Sequence, residues 1–112
     1  MPVNFLDIKP EQAIDFIKRN NGLITILKPK FKNRLLTRYL LPRMKQPNFK
    51  INLDEVGSFV WKLCDGNTTV YEIGTEMQQH FGEKINPVYE RLTMFLRQLH
   101  QNKFIEYRGP SD

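Results

Sequence analysis

The stretch "INLDEVGSFVWKLCDGNTTVYEIG", residues 51–74, reads as two short helices joined by a tight turn. In the first half Leu53, Val56, Val60 and Leu63 recur at helical spacing, and Asn52 and Glu55 stand as a capping box. "CDGN" interrupts the pattern, with Gly66 as the residue that accepts positive φ. Thr69 and Glu72 form a second capping box, after which Val70, Ile73, Met77 and Phe81 give the next apolar stripe. Gly82 closes that helix. Asn86 and Pro87 then open a third, whose stripe is Val88, Leu92, Phe95 and Leu99, with Leu96 beside it. "NKFIEY", residues 102–107, has the composition of a last short strand.

Upstream the signals change. "PEQAIDFIKR", residues 10–19, carries Ala13, Ile14 and Ile17 at helical spacing, so a short helix is expected there, stopped by "NNG" at 20–22. "LITILKP" (23–29) has strand character. "FKNRLLTRYLL" (31–41) alternates apolar and basic residues with period two. "NFKINL" (48–53) alternates as well, with Phe49, Ile51 and Leu53 expected inward and Lys50 and Asn52 outward. Pro47 precedes it, and a proline without an N–H belongs at a strand's start or on a sheet edge. The expectation is an α+β fold: a winged helix-turn-helix with a three-stranded antiparallel sheet, a three-helix bundle and an extra N-terminal helix. It fills one domain, residues 1–112, with a helical extension over 1–22.

Composition narrows the function classes. The 112 residues are 40% hydrophobic and 26% charged, ordinary for a folded domain with one modest core. No apolar run is long enough for a membrane span, and the start lacks a basic segment followed by an apolar one, so a cytoplasmic protein without membrane attachment is expected. One cysteine, Cys64, fits a reducing compartment. With only His80 and His100 besides, there is no metal-ligand spacing and no cofactor motif.

The net charge of +5 is concentrated. Lys28, Lys30, Lys32, Arg34, Arg38, Arg43, Lys45 and Lys50 fall in one segment with no acidic residue, while the rest of the chain holds nine basic and twelve acidic ones. Such a segment either keeps a hairpin solvated or attracts an anionic partner, a phosphate backbone or an acidic peptide. Catalysis finds little support: Cys64 has no base at a motif spacing, and no carboxylates are paired. DNA docking through a recognition helix is opposed by Glu72 and Glu76 on the second helix and by Glu83 and Glu90 near the start of the third. A winged-helix nucleic-acid-binding regulator using the basic hairpin is the alternative function, and a small subunit that docks on an enzyme is a third.

"LDEVGSFVWKLCDGNTTVYEIGTEMQQHFG" followed by "VYERLTMFLRQLHQNKFIEY" resembles the PqqD family, named for coenzyme pyrroloquinoline quinone synthesis protein D. Leu53, Glu55, Val56, Gly57, Trp61, Leu63, Asp65, Gly66, Thr69, Val70, Glu72 and Ile73 fall on the family's pattern, and the likeness covers residues 51–107. Read physically, most of these make the fold: Gly57 for close packing, Trp61 for the core, Asp65 and Gly66 for the turn, Thr69 for the cap.

The resemblance implies a non-enzymatic module without cofactors. Such a module would capture the leader segment of a ribosomally made precursor peptide and present it to a modifying enzyme, often a radical S-adenosylmethionine enzyme. In related domains the leader adds as a strand to a sheet edge beside a helix, which is β-augmentation. Here the candidate edge is Asn48, Phe49, Lys50 and Ile51. Lys45 and Lys50 would steer an acidic peptide, and Leu92, Phe95 and Leu96 would form a groove floor. An unfilled edge can also pair with itself, so monomer and homodimer both remain open.

Overall fold

The computed structural model describes residues 4–29 and 48–109. A 3-10 turn at Phe5–Asp7 is followed by strands β1 (Lys9–Gln12), β2 (Phe16–Lys18), β3 (Ile24–Pro29) and β4 (Asn48–Asn52). Helices α1 (Glu55–Leu63), α2 (Val70–Phe81) and α3 (Val88–Gln101) come next, then strand β5 (Ile105–Arg108). The chain is α+β, and it groups into two compact units, residues 1–13 with 56–112, and residues 14–55.

The first unit holds the helices. Thr69 caps α2: its side chain accepts from the Glu72 N–H while Glu72 reaches back to the Thr69 N–H, the reciprocal box that the spacing predicts. Gly82, at φ 68°, ends it, again as expected. The α2 stripe Val70, Ile73 and Met77 is buried, as are Leu92, Leu96 and Leu99 of α3. On α1 the buried face runs through Gly57, Ser58, Val60 and Trp61, and Cys64 just beyond it is fully buried.

Where α2 and α3 cross, Gly74 lets the Tyr89 ring lie directly on the α2 backbone; a Cβ there would stand 2.3 Å from a ring carbon. The Tyr89 hydroxyl donates to the Tyr71 carbonyl at 3.0 Å, so the close approach is also hydrogen-bonded.

β1 and β5 form a second, two-stranded antiparallel sheet in this unit, with Lys9 opposite Arg108 and Gln12 opposite Ile105. The strand expected at 102–107 is therefore present, and its partner lies at the other end of the sequence. The Ala13 N–H donates to the Phe104 carbonyl, so by antiparallel alternation Pro10 and Gln12 turn their backbone groups away from β5. Pro10 thus costs the β1–β5 ladder no donor. On that outer side the Gln12 N–H donates to the Cys64 carbonyl and the Gly66 N–H to the Pro10 carbonyl. The Glu11 carboxylate receives Arg108 Nε at 2.5 Å.

The second unit contains a three-stranded antiparallel sheet in the order β2-β3-β4. Its first strand overturns the expected N-terminal helix: residues 9–12 and 16–18 are extended. Three apolar residues at helical spacing are a thin signal, and "NNG" closes a hairpin instead of a helix. Arg19 and Leu23 pair across it through the Arg19 N–H, Gly22 adopts φ 84°, and the Asn21 side chain accepts from the Leu23 N–H. A three-residue loop ending in a left-handed glycine is a favoured hairpin connection. β3 and β4 confirm the strands expected within 23–29 and 48–53, while the one expected at 31–41 lies outside the described residues.

Two cap assignments shift. α1 begins at Glu55, so its cap position falls on Asp54; Asn52 belongs to β4, where its side chain accepts from the Thr25 hydroxyl at 2.7 Å. α3 begins at Val88 with Pro87, not Asn86, at the cap position.

Candidate functional site

β4 is laid down by β3. Ile24 and Ile26, both buried, pack the centre of the sheet, and Ile26 stands opposite Ile51. Arg19 ties off the closed end: one Nη2 donates to the Leu53 carbonyl at 2.7 Å and to the Ile24 carbonyl at 3.3 Å. The sequence gives no hint of this role, because Arg19 reads there as one more cation at the end of a helix.

The register fixes which way β4's backbone points. The Leu53 N–H donates to the Ile24 carbonyl at 2.9 Å. Pairs exchanging hydrogen bonds alternate along an antiparallel ladder. Ile51 opposite Ile26 and Phe49 opposite Lys28 are therefore the bonded pairs. Asn48, Lys50 and Asn52 direct their N–H and C=O groups away from β3, and among the described strands β4 ends the sheet on that side. The pairing also suits Pro29, which stands opposite Asn48 in a non-bonded pair and loses nothing by lacking an N–H.

The sequence-predicted residues fall into two groups. Asn48, Phe49, Lys50 and Ile51 sit together on β4. Phe49 corrects the expected pattern: it is 54% exposed, because burial along the ladder fades from Leu53 towards the end where Phe49 faces Lys28. Ile51 is half-buried and Lys50 exposed. Leu92, Phe95 and Leu96 are close neighbours on α3, but Leu92 and Leu96 are fully buried core side chains and only Phe95 has surface to offer. Lys45 lies outside the described residues, as does the basic segment apart from Lys28 and Lys50.

Cys64 is the chain's one thiol. Burial, and then the charge of Asp65, push it up to about 12 from 9.0, so it stays protonated. The sign of the linkage follows. Below pH 9.0 both states hold the proton; between there and about 12 the unfolded chain releases it and the folded chain does not. Stability should fall as pH rises through that window, and the Cys64→Ala variant should show a flatter alkaline profile. A thiol reagent should label Cys64 only as fast as the chain opens, which stopped-flow labelling in increasing urea would measure.

Asp65 differs. Desolvation is the largest single influence and raises its carboxyl, but the N–H groups of Asn67 and Thr68 and the Thr68 hydroxyl together outweigh it and hold it below the ordinary range. That is turn chemistry. No cluster of three or more His, Cys, Asp or Glu suited to a metal occurs among the described residues. None of their helices is long and apolar enough to cross a membrane.

An antiparallel sheet with an outward-facing strand, and helices grouped in the other compact unit, define the chain as an α+β protein whose candidate site is a row of backbone groups. The family model for coenzyme PQQ synthesis protein D (PqqD) matches residues 48–105, just over half of the chain. The chain belongs to the PqqD family. Comparison with curated proteins and with solved structures gave no match.

Proposed function

We propose that the chain is a non-catalytic peptide-binding module: it takes the leader segment of a ribosomally made precursor peptide as an added strand along β4 and holds it for a radical S-adenosylmethionine-type enzyme. The observation that carries the reading is the outward aim of the Asn48, Lys50 and Asn52 backbone groups on the last described strand of the sheet. Backbone bonds would supply affinity, and the exposed Phe49 ring would offer apolar contact. Lys50, with Lys45, would favour an acidic leader. Family membership supports the same role. The winged helix-turn-helix arrangement is part of the proposal, resting on the helix order and the antiparallel sheet.

The register selects the test. A proline at position 50 removes an outward N–H and leaves the β3 ladder whole, whereas one at position 49 would break the bond to Lys28. With a synthetic acidic leader-type peptide that the wild type binds, Lys50→Pro should weaken binding at least about tenfold, the equivalent of one or two ladder bonds. Its melting temperature should stay close to wild type. Lys50→Ala, which keeps the N–H, should lose only the share due to charge. Unchanged affinity in the proline variant would refute strand addition at β4. A DNA duplex titrated in parallel tests the other reading, since phosphate contacts would make affinity fall steeply with salt.

A further inference from the structure

The side of α3 opposite its buried leucines carries a second pattern. Glu90 and Arg97 are exposed, Thr93 is half-buried, and Met94 is 63% exposed. Tyr89, Glu90, Thr93 and Met94 line an open groove of about 440 Å³. Tyr71 of α2, 56% exposed, stacks on Tyr89 at its margin with ring centroids 6.2 Å apart. Exposed methionine and tyrosine around a groove are the composition of a contact surface.

The charges identify what fits there. Glu90 and Arg97 lie seven residues apart, about 10 Å along the helix, too far to pair with each other. Among the described residues neither takes part in an ion pair. The stripe is electrically balanced, so neither a strongly basic nor a strongly acidic partner is favoured. It is, however, complementary to itself. When two copies of one helix pack antiparallel about a two-fold axis, facing positions have numbers of constant sum. An axis between Thr93 and Met94 sets Glu90 against the second copy's Arg97 and Arg97 against its Glu90. Met94 then faces the second copy's Thr93, at the groove. One axis satisfies the charges and the apolar contact together.

We propose that α3 is a self-association face, through which two copies of the chain pair antiparallel about the Thr93–Met94 midpoint. A single pair of 14-residue helices makes a small interface, so the dimer is weak and reversible.

Sedimentation velocity from low micromolar to near-millimolar concentration tests this without any peptide, so its outcome is separate from that of strand addition. Wild type should show a monomer–dimer equilibrium. Glu90→Arg and Arg97→Glu each replace two attractions by two repulsions, and each should raise the dissociation constant by about tenfold or more. An equimolar mixture of the two variants should dimerise again, because every reversed position then faces its opposite, and the double variant Glu90→Arg/Arg97→Glu should dimerise by itself. All the altered residues are exposed, and circular dichroism checks that each variant folds. A wild type that stays monomeric throughout overturns the proposal. So does a dimer indifferent to the single reversals, which would place the contact elsewhere, or a mixture that fails to recover association.

Discussion

Trp61→Ala is expected to lose about 3–5 kcal/mol of stability, the range for truncating a large buried aromatic side chain. A domain of this size holds about 5–15 kcal/mol in all, so the variant should be substantially unfolded well below the wild-type melting temperature. The indole is fully buried on α1 beside Val60 and Gly57. The same residue's carbonyl accepts from the Gln12 side chain at 2.8 Å and from the Cys64 N–H at 3.1 Å, so its backbone is held in place. Removing the ring leaves a cavity that its surroundings fill only in part. Urea unfolding followed by far-ultraviolet circular dichroism gives the number. Trp61→Phe, which keeps most of the volume, should lose clearly less. A near-neutral alanine variant would show that the indole contributes little to the core packing.

Gly74→Ala has the second large effect, and its sign is the informative part. Inside an exposed helix the exchange stabilises by up to about 1 kcal/mol. Here the new methyl would meet the Tyr89 ring at 2.3 Å, and that ring is held by its hydroxyl bond to Tyr71. Overpacking of this kind costs about 1–3 kcal/mol, so the net change should be destabilising, and greater for Gly74→Leu. Tyr89→Ala removes the obstacle. In the Gly74→Ala/Tyr89→Ala double variant the alanine at position 74 should no longer be harmful, a coupling that a double-mutant cycle with thermal unfolding measures directly.

How much of this could be read from the sequence varies with the range of the interaction. The α2 helix was fully legible, because Thr69, Glu72 and Gly82 act within one turn of their own position. β3 and β4 were legible from their alternation. The hairpin containing β2 is disguised in the sequence, because Ala13, Ile14 and Ile17 imitate a helix face and "NNG" serves equally as helix stop and hairpin loop. The better signal was the β-branched run immediately after it, which marks a second arm. β1 was invisible: its partner is β5, and the pair closes between Glu11 and Arg108, separated by 97 positions.

The candidate site was half legible. The alternation after Pro47 marks residues 48–51 as a strand, but the aim of each N–H depends on the partner strand's register. Only that register shows Lys50, and not Phe49, to be the outward donor. Helical spacing named Leu92 and Leu96 correctly as a stripe, but a stripe alone does not separate core from contact surface.

The antiparallel pairing of Lys9 with Arg108 has an architectural consequence. Positions 9 and 108 stand side by side, so the chain can be tethered at both to one spot on another protein without pulling β1 from β5. Spliced into an exposed loop of a larger host, residues 9–108 should keep the β1–β5 pair closed. Two short connectors would then suffice to keep it permanently beside an enzyme.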